Sequence, residues 1–303
     1  MKATLPNLKT LPYGGASAVE DPAMLIDVAT MLKTAPVDTW LTDVDIHNRF
    51  VDQYRSWITS SKLNNLKGLD LFPVMAASLG TTESFDKFYL KNRTRRFRCF
   101  RGEYMYHAAS WRNYFPDWRW IEDEPIAEND AVVISVPFSD TGDIHSRMTE
   151  VLIECTRLGV PVLADAAFYG TCGGVTFDFD HDCITDITFS LSKTFPVSHV
   201  RVGMRLTRED DDDSLLVHHK TKYINRLGCG LGLELIRRWG PDHNYKTWRK
   251  TQELLCTQLG ITPSPSVLFG IDTTGKYSQY NRGGTTSRLC LARYLANGTL
   301  PND

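Results

Sequence analysis

No run of this chain approaches 18 apolar residues, so a membrane-spanning helix is not expected. Met1-Lys2-Ala3-Thr4-Leu5-Pro6 leads into no apolar stretch, so a signal peptide is not expected either. Seven cysteines (Cys99, Cys155, Cys172, Cys183, Cys229, Cys256, Cys290) contain no C-x-x-C pair. Their odd number and apolar surroundings favour reduced, buried thiols of a cytoplasmic protein over disulfides or a zinc site. Neither sign of charge is in excess, and a net charge of −2 gives no general attraction to nucleic acid or an anionic membrane. No internal repeat is present. The cluster Gly228-Cys229-Gly230-Leu231-Gly232 lacks a preceding strand and the spacing of a nucleotide loop, and reads as a helix junction. What remains is ordinary: 42% hydrophobic and 23% charged residues in 303, enough for one large domain and a small one.

Periodicity divides the chain. Residues 1 to about 35 read as an arm with a helix from Pro22 to Lys33, started by a proline whose missing N–H is no loss there. Asn48 to Ser60 carries Phe50, Val51, Tyr54 and Ile58 on one helical face. From about 70 to 205, strand-like and helix-like segments alternate, with a crossover helix at His145–Leu158. That alternation predicts an α/β fold, a mostly parallel sheet covered by helices on both faces. The acidic run Glu209–Asp213 reads as a solvated turn, Leu215–Trp239 and Asp242–Leu259 as helices. Val267–Ile271 and Arg288–Ala292 read as strands of a small C-terminal domain.

The chemistry centres on Ser190-Leu191-Ser192-Lys193-Thr194, with Arg201-Val202-Gly203 eight residues beyond the lysine. A small-residue turn presenting one amine, with a guanidinium at a fixed distance, suits an aldehyde cofactor held as a Schiff base with its phosphate neutralised. Burial beside other cations lets such a lysine lose its proton. The plain alternative is an exposed lysine in a loop. Upstream, the apolar strand Gly159–Ala164 delivers Asp165 at its end, and the strand Ile184–Phe189 ends at Ser190. Open α/β sheets bind ligands at that edge. A carboxylate there can keep a pyridine nitrogen protonated, which makes the ring an electron sink. A lone aspartate would be an N-cap or a surface turn.

Taken together, Asp165-Ala166-Ala167-Phe168, Ser190-x-x-Lys193 and Arg201-Val202-Gly203 resemble the fold-type I pyridoxal-phosphate (PLP) enzymes, specifically the class I/II aminotransferase family. Val133–Gly142 resembles the family's strand and N-P-T-G turn, Ala76–Glu83 its glycine turn opening a helix, and Thr286–Ala292 its C-terminal arginine strand. The resemblance covers roughly residues 70 to 295. It implies a three-layer α/β/α large domain of PLP-dependent transferase type plus a reduced α+β small domain. The expected division is 1–45 (arm and start of the small domain), 46–225 (large PLP-binding domain) and 226–303 (C-terminal helices and small domain).

By this resemblance Lys193 carries the cofactor and shuttles the proton, and Asp165 pairs with the ring nitrogen. Arg201, Ser190 and the helix start at Gly80, Thr81 and Thr82 bind the phosphate. Tyr104 stacks on the ring or is a half-buried strand tyrosine. Arg288 grips the substrate α-carboxylate in a two-pronged bond. Ser139 and Phe168 stand where the family has an asparagine and a tyrosine donating to the cofactor's phenolic oxygen. Each such bond is worth on the order of 1.5–3 kcal/mol, so the cofactor is tuned differently and the Schiff base holds its proton more tightly. The resemblance further implies amino-acid and 2-oxo-acid substrates and a homodimer with its cleft at the interface. Trp40 and Tyr54 are candidates for the aromatic crossing that interface, core packing being the other role, and His199 for lining the site. Three other functions are weighed against transamination: PLP-dependent lyase, decarboxylase or cyclase chemistry; nucleic-acid binding through Lys91–Arg98 with Arg101, Trp111, Trp118 and Trp120; and a degenerate binding protein.

Overall fold

The computed structural model of the chain describes residues 11–115 and 117–300, so the reading of Met1–Pro6 lies outside the described residues. The opening helices are α1 (Pro22–Thr34), α2 (Val37–Thr42) and α3 (Ile46–Thr59). Then come β1 (Asn65–Lys67), β2 (Val74–Ser78), α4 (Thr81–Lys91), β3 (Arg96–Cys99), α5 (Met105–Tyr114) and β4 (Trp118–Trp120). The middle of the chain forms β5 (Asp130–Ser135), α6 (Met148–Leu158), β6 (Val162–Asp165), β7 (Thr176–Asp178), β8 (Ile184–Ser190) and β9 (Gly203–Thr207). It closes with α7 (Ser214–Thr221), α8 (Arg226–Arg238), α9 (His243–Leu259), β10 (Thr262–Pro263), β11 (Phe269–Asp272), β12 (Ser287–Cys290) and α10 (Ala292–Leu295).

Seven strands form one sheet in the order β2-β9-β8-β6-β5-β3-β4. Every pairing is parallel except those of β9, which runs against both β2 and β8. The interior strand β5 is buried at every position, as expected of a strand covered on both faces. On one face Val132, Ile134, Ala164, Ile187 and Leu206 pack with Phe50 and Tyr54 of α3, Leu152 of α6 and Leu235 of α8. On the other, Ala131, Val133 and Leu163 pack with Phe85 and Phe88 of α4 and Trp111 of α5. The three layers anticipated from the alternating pattern are present. A second core gathers Leu255 of α9, Phe269 of β11, Leu289 of β12 and, from the arm, Tyr13 and Val19. Its sheet is the antiparallel β10-β11-β12.

Three local expectations are corrected. The glycine cluster is not a junction: Gly228, Gly230 and Gly232 lie inside α8, and the chain turns earlier, where left-handed Lys222 caps α7. A Cβ on Gly230 would sit 2.3 Å from the Trp40 ring, so the glycines let α8 approach its neighbours closely. The crossover helix begins at Met148 rather than His145. The acidic run is not simply solvated: Asp213 caps α7 and pairs with buried Arg205, while Asp211 pairs with Lys91 and Asp210 with Lys220. Trp40 and Tyr54 belong to the core. All seven cysteines are free and buried, and among the described residues no helix is long and apolar enough to cross a membrane.

Part of the basic run is paired internally, while Lys91 and Arg93 stay exposed. Arg96 and Arg98 lie on β3, between β4 and β5, and both reach Asp130, at 2.7 and 2.6 Å. Arg98 is fully buried and also donates to the carbonyls of Pro125 and Trp120. Trp111 is core, while Trp118 and Trp120 are half-buried and Arg101 lies 5.5 Å over the Trp120 ring. Removing one partner of a buried ion pair strands the other. Asp130→Ala is therefore expected to cost about 3–5 kcal/mol of unfolding free energy, measured by urea denaturation.

Candidate active site

The sheet order brings one edge together. Parallel β2, β8, β6 and β5 all end there, at Ser78, Ser190, Asp165 and Ser135, and antiparallel β9 begins there at Gly203. The loops leaving these ends enclose a cleft of about 440 Å³, a volume suited to a small-molecule ligand. Lys193, Asp165, Arg201, Thr81, Thr82, Tyr104, Ser139, Phe168 and Arg288 all line it. Two expected residues do not. Ser190 is turned inward, its hydroxyl 2.7 Å from that of Ser192 and bonded to the Val202 carbonyl, and Ser192 lines the cleft instead. Gly80 stands behind the wall: with φ at +79°, it has no Cβ, and one placed there would lie 2.6 Å from Arg201 Nη2. His199 is exposed and outside the lining.

Asp165 is 5% exposed and accepts one hydrogen bond, from the Ala167 N–H at 3.0 Å. Among the described residues no cation stands within ion-pair distance, and burial raises its pKa to about 7 against the opposing pull of that hydrogen bond and of Lys193. Lys193 Nζ donates to the Ala16 carbonyl at 2.7 Å. Burial lowers its pKa, and Arg288 and Arg201 push the same way, while Cys290 and Asp165 oppose. A lysine so placed gives up its proton more readily than one in water.

Arg201 holds the left-handed conformation (φ 58°), costing of order 1–3 kcal/mol for a non-glycine residue. It donates to Thr82 Oγ1 at 3.1 Å and, among the described residues, faces no carboxylate within ion-pair distance. Thr81 and Thr82 open α4, whose N-cap glycine supplies no capping side chain, so the N–H groups of its first turn remain for a ligand. The result is a seat for an anion. Tyr104 lies at the N-cap of α5, 43% exposed, its ring stacked on Tyr106 at 5.9 Å. Tyr169, next to Phe168, points away and donates to the Ile58 carbonyl at 2.5 Å.

Arg288 is 5% exposed, lies 4.3 Å over the Phe269 ring, and donates to the carbonyls of Ser139 and, at 2.7 Å, Gly15. Its partners are neutral. Burial, reinforced by Arg282, pushes its pKa down, with Asp140 and Cys290 opposing. Three features of the cleft carried little sequence signal. Arg282 sits in a turn before β12 and reaches Ser139; Arg293 on α10 reaches the rim; and Gly14–Ser17 of the arm crosses the opening. The lining thus holds five cationic side chains, Lys193, Arg201, Arg282, Arg288 and Arg293, against one carboxylate, Asp165. Such a cleft accepts anions.

The buried carboxylate has a measurable signature. Its folded pKa of about 7 stands above the ordinary 3.8, so ionising it destabilises the fold. The penalty is absent below pH about 4, grows between 4 and 7, and is complete above that. In protein dialysed free of small ligands, Asp165→Asn is expected to raise stability by about 4 kcal/mol at pH 8 and to leave it unchanged at pH 4, by urea denaturation at both pH values.

No protein-family model and no curated protein matches the sequence. Solved structures do resemble the fold. A probable N-succinyldiaminopimelate aminotransferase from Thermus thermophilus superposes with a TM-score of 0.66 at 13% identity, covering 94% of this chain and 90% of that one. The histidinol-phosphate aminotransferase from Clostridium acetobutylicum gives 0.59 at 12%, over 94% and 98%. The PLP-bound C-S lyase from Staphylococcus hominis gives 0.61 at 12%, over 91% and 88%. The chain has the fold these aminotransferases and this lyase share.

Proposed function

We propose that the chain is a pyridoxal-phosphate-dependent enzyme that exchanges the amino group of an α-amino acid with a 2-oxo acid. One observation carries the reading. The same cleft holds a buried carboxylate (Asp165) with no cation against it among the described residues, a guanidinium (Arg201) with no carboxylate against it among them, and a half-buried amine (Lys193). Those three groups fit a ligand with a protonated ring nitrogen at one end, a phosphate at the other and an aldehyde between. Bound PLP supplies an aldehyde that condenses with amines and a ring that withdraws electrons from the attached carbon.

The chain's own residues do the rest. Asp165 keeps the ring nitrogen protonated, and the cation it meets there offsets the cost of its burial. Arg201, the Thr82 hydroxyl and the first N–H groups of α4 hold the phosphate. Lys193 Nζ, released from the Ala16 carbonyl and uncharged, would take the proton from the substrate Cα and hold it for return to the ligand. Arg288 exchanges two neutral carbonyls for the α-carboxylate, a stronger charge-assisted pair. The segment Gly14–Ser17 shields the site from water.

A second reading keeps the cofactor and changes the bond broken, to elimination, decarboxylation or cyclisation. Ser139 and Phe168 favour it, since neither side chain carries the amide or phenol donor expected beside the phenolic oxygen. Exposed Leu25, Ile26 and Leu32 on α1, with Leu41 and Val44 beyond it, support pairing of two copies, and the seven buried free thiols support a cytoplasmic setting.

The test is spectroscopic and kinetic. Purified protein given PLP is expected to turn yellow, to be trapped on Lys193 by borohydride, and to bleach with a suitable amino acid while a 2-oxo acid appears. Lys193→Ala is expected to lose the trapped adduct and turnover by about 10³-fold or more; full turnover in that variant would refute the proposal. Arg288→Lys should raise KM for the amino acid by about 10- to 100-fold. Release of carbon dioxide, ammonia or sulfide in place of a 2-oxo acid from transamination would identify the second reading.

A further inference from the structure

Ser139 leaves the wall of the cleft short of a donor, and Arg282 stands directly behind it. The Arg282 side chain is 4% exposed. Its Nη1 donates to the Ser139 carbonyl at 3.0 Å and to the Ser139 hydroxyl at 3.2 Å, and its Nη2 to the Glu103 carbonyl at 3.0 Å. Arg288 shares the Ser139 carbonyl. The hydroxyl oxygen is therefore engaged by a guanidinium, while its own proton has no acceptor among the described residues and Ser139 lines the cleft.

The charge on this wall is unbalanced. Of the carboxylates facing the two arginines, Asp140 comes within 3.6 Å of Arg282. Glu103 turns its carboxyl to the Ser135 N–H and hydroxyl, and burial raises its pKa to about 8, so it is largely uncharged at neutral pH. His107, buried on the same side, is pushed down to about 3 by burial and Arg282 and carries no charge. Tyr104, also facing Arg282, is pushed up by burial and is neutral too. Two guanidinium groups against one carboxylate leave about one positive charge to meet a ligand.

The sheet order says which part of the ligand that is. Reading along β9, β8, β6 and β5, the edge presents the phosphate seat at Arg201, then Lys193 and Asp165, then Ser139. On pyridoxal phosphate the phosphate arm and the phenolic oxygen flank the aldehyde on opposite sides. With the arm toward Arg201 and the aldehyde toward Lys193, the phenolic oxygen faces the wall beyond β5.

We propose that Arg282, acting through the Ser139 hydroxyl, holds the phenolic oxygen of the bound cofactor as an anion, replacing the amide and phenol donors whose places are taken by Ser139 and Phe168. Arg282 is in this a positioning residue. It deepens the functional reading above and rests on it. A positive charge and a donor at the phenolic oxygen both disfavour a second positive charge on the neighbouring lysine linkage, so the pair keeps that linkage deprotonated at neutral pH.

The experiment follows the pH midpoint of the visible absorbance band of the PLP-loaded enzyme. Arg282→Gln and Ser139→Ala are expected to raise it by about one pH unit or more, a tenfold change in proton affinity. Arg282→Lys, which keeps the charge, is expected to raise it less. Cofactor retention is followed by fluorescence, and Ser139→Ala with Arg282→Lys carries the test if Arg282→Gln does not fold. Unchanged midpoints in variants that still hold PLP overturn the inference, as does an Arg282→Gln effect confined to KM for the amino acid, which would assign Arg282 to substrate. A wild-type protein that shows no band with PLP overturns the functional reading itself, and this inference with it.

Discussion

A carboxylate buried at the end of β6, with no cation against it among the described residues, is the constraint around which this molecule is organised. Burying an ion unpaired is expensive, and an α/β fold confines the expense to one place. β6 runs between β5 and β8 in the middle of the sheet, where strands are covered on both faces and only their ends can meet a ligand. The backbone N–H of Ala167 offsets part of the cost. The remainder is a standing demand for a cationic ligand, and the cations around it are placed to stay apart: Arg201 on Thr82, Lys193 on Ala16, Arg288 on Gly15 and Ser139. The geometry is preorganised because each group is tied to a different strand end or to the arm.

Much of this was legible in the sequence, for physical reasons. Asp165, Lys193 and Arg201 are readable because strand periodicity fixes which residue stands at a strand end, and Gly203, at the head of β9, fixes where Arg201 turns. Ser190 lies outside the cleft lining although its neighbour Ser192 belongs to it. On a turn, two residues of separation do not decide which hydroxyl faces inward, and the Val202 carbonyl claims Ser190. The glycines of α8 misled for a related reason. Glycine usually marks a break in a helix, yet here tertiary contact with Trp40 and Phe50 overrides that propensity.

Arg282 was illegible. It lies in Asn281-Arg282-Gly283-Gly284, a turn whose composition signals only a turn, and it reaches Ser139 across 143 residues of sequence. The basic run at Lys91–Arg98 shows the converse failure. Its pattern looks like a surface for phosphates, and only the pairing of β3 with β5 reveals Asp130 as its counter-charge. Local pattern locates strand ends and helix faces; it does not locate partners brought in by topology.

The crossing of the opening by Gly14–Ser17 has a kinetic consequence. That segment reaches the site by hydrogen bonds spanning 177 and 273 residues, from Lys193 and Arg288. Its flanks are anchored, Tyr13 and Val19 being buried in the second core and the Tyr13 carbonyl accepting from the Cys290 N–H at 2.8 Å, while Gly14–Ser17 themselves stay half-buried. Releasing those two hydrogen bonds alone would uncover the lysine and the arginine without unpairing a strand, so traffic through the doorway need not loosen the catalytic floor.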